Sequence, residues 1–201
     1  GKISILKKSF PAGELKVASF QLTPQPTAWK NLEGLNFSRK FCELVANAWS
    51  RLGGYSMIFD GPRSTPQLSF TVRNQYAHAG VVITASHNPS HDNGFKAYFS
   101  DGGQLVPPHD GNVVDRYGSI SIAELLPLLD KPTTEEVPWT LLQAEDDFSY
   151  RAALEDAVLD PDMLQENPPK LVFTPIHGTG AITAIPALWD HGVEVVVVDE
   201  Q

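Results

Sequence analysis

Apolar residues recur at helical spacing from Phe37 to Leu52. Phe37, Phe41, Leu44, Val45, Ala48, Trp49 and Leu52 make one stripe, which predicts a helix capped by Asn36 and stopped by Gly53-Gly54. The short apolar run Tyr55–Phe59 predicts a strand, and Asp60-Gly61-Pro62 a turn. Pro66 suits the first turn of a second helix, with Ser64 or Thr65 at its cap and Leu68, Val72 and Tyr76 on its apolar face. Gly80–Thr84 and Phe95–Phe99 read as strands, and Asp101-Gly102-Gly103 as a turn. Asp110–Leu129 reads as one helix, supported by Val113, Val114, Tyr117, Ile120 and Ile122.

The second half is more broken. Residues 130–145 mix Pro, Thr, Glu and Asp and read as a linker. Phe148–Val158 predicts a helix with Phe148, Ala152 and Leu154 as packing residues, and Pro161, Pro168 and Pro169 punctuate the connection after it. Leu171–Phe173, the loop Thr174–Gly180, a helix over Ala181–His191 and the valine run Val193–Val198 then spell a βαβ unit, with the last strand covered on both faces. Residues 1–35 hold no sustained period, and only Val17–Phe20 reads as a short strand. Trp49 and Trp189 lie on helical faces as core candidates, and Cys42 reads as a small packed residue. The alternation implies an α/β protein, a mixed β-sheet layered between helices. A strand followed by Thr-Pro or Thr-Ala recurs weakly at Thr65, Thr84 and Thr174.

The 201 residues suffice for one core, or one domain and part of another. Lys and Arg number 15 against 24 Asp and Glu, a net charge of −9, with no basic cluster beyond Lys7-Lys8. A long nucleic acid is disfavoured as a partner, whereas a small phosphorylated ligand needs only a few local donors. The single cysteine forbids an intrachain disulfide and suits a cytoplasmic setting. No apolar run reaches the roughly 18–20 residues of a membrane-spanning helix, so no membrane partner is expected.

Chemistry concentrates in Thr84-Ala85-Ser86-His87-Asn88-Pro89-Ser90-His91-Asp92-Asn93-Gly94-Phe95-Lys96, directly after a buried-looking strand. Residue types alone leave two readings open there, an activated serine or a polar loop with hydrogen-bonding duties, because adjacent side chains such as Ser86 and His87 rarely meet. No Gly-x-Ser-x-Gly elbow is present. His87 and His91 have metal-pair spacing, but Pro89 interrupts a regular helix and no Glu follows His87. Asp101, Asp110 and Asp115 match no dense cation loop. His177-Gly178-Thr179-Gly180 opens a helix after a strand, which is either a phosphate cradle or a tight turn.

Thr84–Pro89 followed by Asn93-Gly94-Phe95-Lys96 strongly resembles the phosphoserine loop of the α-D-phosphohexomutases, the phosphoglucomutases, phosphomannomutases and their relatives. Thr65–Phe70 and Asp101–Gln104 are similar to the segments before and after that loop. Thr174–Gly180 resembles the opening of the second domain, and Val198-Asp199-Glu200-Gln201 its next strand in the glucose/mannose branch. The resemblance implies phosphohexomutase domain 1 over residues 1–145 and the start of domain 2 over 146–201, cut before the metal loop. It implies that phosphorylated Ser86 donates to a hexose phosphate, and that hexose 1,6-bisphosphate reorients and returns the other phosphoryl group. His87 would position substrate or handle a proton. Lys96 would stabilise charge or take the hydroxyl proton. Thr84, Asn88, Asn93, Gly94 and His177 would support the loop and substrate, and Mg²⁺ would touch the Ser86 phosphate.

A phosphoglucosamine mutase, a phosphopentomutase or a non-catalytic sugar-phosphate-binding relative are the alternatives. The family's acidic metal loop, sugar-reading loop and distal phosphate loop have no counterpart here. The expectation is therefore a piece of a longer protein, or ordered pieces of one joined together, with a naturally degenerate protein as the alternative. Such a piece lacks most of the cation site and the distal phosphate groups, and has an apolar face open where the second domain breaks off. Gln21–Pro26 stands where a Gly-Thr-Ser-Gly loop is expected, and no Gly-Tyr-Asp-Thr-Arg ending is seen after the Phe37–Leu52 helix.

Overall fold

The computed structural model describes residues 16–22, 37–88, 92–129, 139–176 and 178–198. Its first part runs β1 (Lys16–Leu22), α1 (Phe37–Arg51), β2 (Tyr55–Phe59), α2 (Thr65–Asn74), β3 (Ala79–Thr84) and β4 (Phe95–Phe99). Then follow α3 (His109–Ser119), α4 (Ile122–Leu129), β5 (Trp139–Leu142), α5 (Ala144–Glu155), α6 (Pro161–Glu166), β6 (Lys170–Phe173), α7 (Gly180–Asp190) and β7 (Glu194–Val197). Strands β4-β3-β1-β2-β5 form one mixed sheet, and β6 and β7 pair parallel in a second. The α/β layering expected from the sequence is what the chain adopts.

Alternation along β3 sorts its side chains to two faces. Val81 and Ile83 pack with Cys42, Val45 and Trp49 of α1. Val82 packs with Leu68 and Val72 of α2, Met57 and Phe59 of β2, and Tyr98 of β4. Each such fully buried aliphatic side chain contributes about 1.5–3 kcal/mol. Gly80 lets α2 approach β3, since a Cβ there would lie 2.6 Å from Val72 Cγ2. Ser64 caps α2 by accepting from the Gln67 N–H, with Pro66 in the first turn.

Several expectations are corrected. The poorly patterned N-terminal part supplies the central strand, because β1 pairs with β2 over Lys16–Ser19 and with β3 over Val17–Leu22. Asp110–Leu129 is two helices, not one. A capping box breaks it: Ser121 Oγ accepts from the Glu124 N–H at 3.3 Å and Glu124 Oε2 accepts from the Ser121 N–H at 3.0 Å. The 130–145 linker contains β5, whose Trp139–Leu142 pairs parallel with Ser56–Phe59 of β2.

The connection around Pro161 holds α6, with Pro161 in its first turn and Asp160 Oδ1 accepting from the Met163 N–H. Tyr76 does not extend the α2 face. The helix ends at Asn74, and Tyr76, at φ +50°, is 86% exposed. Phe148 and Trp189 are also exposed rather than core. The valine run is not covered on both faces: the cross-strand pair Val172 and Val196 is exposed.

Candidate active site

The connections out of β1 and β3 leave in opposite directions, since β1 is followed in the sheet by β2 and β3 by β4. Ligands of open α/β sheets collect at the carboxyl ends of strands where this reversal occurs. Ser86 lies two residues beyond the end of β3, at that edge.

Its turn is built from two short-range hydrogen bonds. The buried Thr84 accepts the Ser86 N–H on Oγ1 at 3.0 Å, and Ala85 C=O accepts the Asn88 N–H at 3.1 Å. Ser86 thereby takes φ +60°, a left-handed conformation that costs a non-glycine residue about 1–3 kcal/mol. The bend brings neighbouring side chains together against the usual expectation, with Ser86 Oγ 3.2 Å from His87 Nδ1 and both residues exposed. An exposed hydroxyl paired with an imidazole has the geometry of a nucleophile and base.

The far side of the loop is held as well. Gly94 C=O accepts the Thr84 N–H at 2.8 Å, and a Cβ on Gly94 would lie 2.5 Å from the Thr84 oxygen, so glycine is required by close approach. Asn93 Oδ1 accepts from the buried Ser38 hydroxyl in the first turn of α1. Asn88 donates to Asp92 at 3.3 Å. Lys96 is the β4 partner of Val82, half-buried, and lines a cavity of about 590 Å³ with Gln104, Asp110 and Tyr117; it makes no hydrogen bond to Ser86 or His87. Pro89, Ser90, His91 and His177 lie outside the described residues.

The loop after β6 repeats the turn after β3. Thr174 Oγ1 accepts the Ile176 N–H at 3.0 Å, Ile176 sits at φ +53°, and Pro175 C=O accepts the Gly178 N–H at 2.8 Å. The weak Thr recurrence in the sequence is thus a structural one at Thr84 and Thr174. Thr65 instead lies in the first turn of α2.

Three residues that the sequence reading did not single out organise this end of the molecule: Ser38, Arg63 and Asp147. Arg63 follows the Asp60-Gly61-Pro62 turn and is only 4% exposed. Its Nε and Nη2 each donate at 2.6 Å to the two carboxylate oxygens of Asp147, and Nη2 also reaches Asp60 at 2.8 Å. Burial opposes the Arg63 charge, but the bonds and fields of Asp147 and Asp60 outweigh it and raise its pKa. The only prior signal was an arginine immediately after a strand-ending turn, and nothing in the sequence tied it to Asp147.

Among the described residues no group of three His, Cys, Asp or Glu converges on a metal-sized position. A phosphorylated Ser86 would bring one ligand group to a Mg²⁺ ion.

Residues 35–123 match the family described as phosphoglucomutase/phosphomannomutase, alpha/beta/alpha domain I. The chain is 30% identical over 153 residues to the phosphopentomutase of Mus musculus, covering 71% of this chain and 23% of that protein. It is 36% identical over 153 residues to the phosphoglucomutase of Staphylococcus epidermidis, covering 72% and 26%. A solved phosphoglucomutase/phosphomannomutase family protein of Burkholderia thailandensis shares the fold with a TM-score of 0.60 at 18% identity, over 99% of this chain and 38% of that one. The chain spans about a quarter of the length of these curated relatives. Residues 35–123 thus match domain I of the phosphoglucomutase/phosphomannomutase family, and the chain as a whole shares the fold of that solved protein.

Proposed function

We propose that this chain carries the phosphoryl-donor loop of a sugar phosphomutase, with Ser86 as the residue that is phosphorylated. The observation that supports it is the strained, exposed Ser86 turn, hydrogen-bonded to His87 at the carboxyl edge of the sheet. A phosphoryl donor must be reachable by a sugar hydroxyl and held in one orientation, because phosphoryl transfer depends on alignment and charge neutralisation. In this reading the P–O bond to Ser86 breaks as a sugar hydroxyl oxygen bonds to phosphorus. The hydroxyl proton passes to His87 or Lys96, and Ser86 Oγ leaves and regains a proton from His87, its hydrogen-bond partner. The sugar bisphosphate then turns over and returns its other phosphoryl group to Ser86, so phosphate has moved between C1 and the terminal carbon.

Thr84, Asn88, Asn93 and Gly94 shape the loop in this reading, and His177 supports the substrate. A phosphorylated Ser86 would be the ligand this chain offers to Mg²⁺, which would supply charge neutralisation there. Residues 1–145 form the donor domain and 146–201 the opening of the next. The setting is cytoplasmic, and among the described residues no helix is long and apolar enough to cross a membrane.

Two sugars compete. A hexose phosphate was expected from the sequence, with glucose or mannose phosphate favoured. A pentose phosphate is supported by the phosphopentomutase relative from mouse. Turnover of ribose 1-phosphate against glucose 1-phosphate by the full chain separates them. Ser86→Ala is expected to abolish both activities, and full turnover by that variant overturns the assignment.

A further inference from the structure

The two sheets are joined by a largely buried polar chain that the loop chemistry does not use. Asp147, in the first turn of α5, accepts both the Arg63 bonds and a 2.5 Å bond from Gln67 Nε2. Gln67 lies on α2 and is fully buried. Its other end, Oε1, accepts from the buried Thr183 hydroxyl at 2.9 Å. Thr183 lies one turn inside α7, the helix that starts directly after the Thr174–Thr179 loop. The chain therefore runs from the loop after β2, through α2 and α5, to the helix behind the second sheet's loop. Arg151 of α5 pairs with Asp190 at the other end of α7 at 3.1 Å, and the Phe70 ring of α2 packs tilted against Tyr150 of α5, with centroids 5.3 Å apart.

Such a path is costly to bury unless every group is paired. Apolar side chains of similar volume would fill the same space without that cost. Its geometric virtue is directional: a forked guanidinium–carboxylate pair and an amide bonded at both ends fix rotation and register, which apolar packing does not. We infer that Asp147 and Thr183 are positioning residues, setting the Thr174–Thr179 loop in fixed register with Ser86 for phosphoryl transfer.

This inference rests on the phosphomutase reading. Neither residue touches the reacting atoms; both act through Gln67. Misplacement of a loop by about an ångström is enough to lower turnover by one to two orders of magnitude.

The test uses the full chain. Thr183→Val keeps shape and removes the hydroxyl, whereas Thr183→Ser keeps it. Both are assayed well below their melting temperatures, together with Asp147→Asn and the double variant Asp147→Asn/Thr183→Val. The expected result is a kcat about tenfold lower in Thr183→Val with KM little changed, and recovery in Thr183→Ser. The double variant should be no slower than the slower single variant, because one path is being cut twice. Hydrogen exchange in α7 should quicken in Thr183→Val but not in Thr183→Ser.

Wild-type kcat in Thr183→Val, a Thr183→Ser variant as slow as Thr183→Val, or multiplicative losses in the double variant would each overturn the inference while leaving the mutase reading intact. A wild-type chain that takes no phosphoryl group at Ser86 would sink the mutase reading, and this inference with it. Should Asp147→Asn fail to fold, the Thr183 pair and the exchange data decide alone.

Discussion

At the scale of single residues, a hydroxyl on Thr84 decides where the Ser86 backbone points. Thr84→Val removes the acceptor for the Ser86 N–H while keeping the side-chain shape, so the left-handed turn loses its brace. The expected outcome is a stability loss of about 1 kcal/mol in chemical denaturation, with phosphoryl uptake at Ser86 slowed about tenfold. Thr84→Ser should behave as wild type, and a wild-type uptake rate in Thr84→Val would count against the brace.

Tyr98 gives a pH prediction. Its burial raises the phenol pKa, and a bond to Thr65 opposes that in part. A raised pKa means that the neutral phenol is favoured by the fold. That stability is fully present below the ordinary tyrosine value of about 10 and is lost as pH rises through the folded value. Alkaline melting curves of Tyr98→Phe should therefore fall less steeply above about pH 10 than those of wild type. Identical alkaline limbs would contradict the assignment.

At the scale of elements, the close approach of α2 to β3 depends on Gly80. Gly80→Ala would place a Cβ 2.6 Å from Val72 and 3.1 Å from Leu68, so the helix must move or the side chains leave their wells. A loss of about 1–3 kcal/mol in denaturant titration is expected. An unchanged midpoint would show that the interface gives more readily than the packing suggests.

Elements with a strong local signal were legible in the sequence: α1 from its stripe, α2 from Ser64 and Pro66, β3 and β4 from their β-formers. Those that depend on distant partners were not. β1 gains its place by pairing with β2 and β3, and the short β5 by pairing with β2. The break at Ile120-Ser121 was written in Ser121 and Glu124, but the apolar positions on both sides hid it. Tyr76 and Trp189 kept helical spacing without being buried, because spacing gives a face and not what covers it. At the site, the loop's composition pointed to chemistry. The contact of Ser86 with His87 depends on a φ that sequence does not display, and the Arg63–Asp147 pair spans a separation no local pattern encodes.

At the scale of the whole molecule, the Arg63–Asp147 pair holds the end of the first sheet to the helices beside the second. Both partners are largely buried, with side chains 5% and 15% exposed. Asp147→Ala strands a buried guanidinium and should cost about 3–5 kcal/mol, read as a lowered melting midpoint. Since the Arg63 pKa is raised, the guanidinium stays charged at ordinary pH, and on the alkaline side its contribution is lost as pH rises through the folded value. A melting midpoint within a degree of wild type would remove the pair from the account.

The most direct test of the central claim is phosphopeptide mapping of the purified full chain, before and after incubation with glucose 1,6-bisphosphate and Mg²⁺. The account predicts one phosphoryl group, localised to Ser86, that increases on incubation and is absent from Ser86→Ala. An intact chain that gains no phosphate, or gains it at another residue while Ser86 stays free, contradicts it.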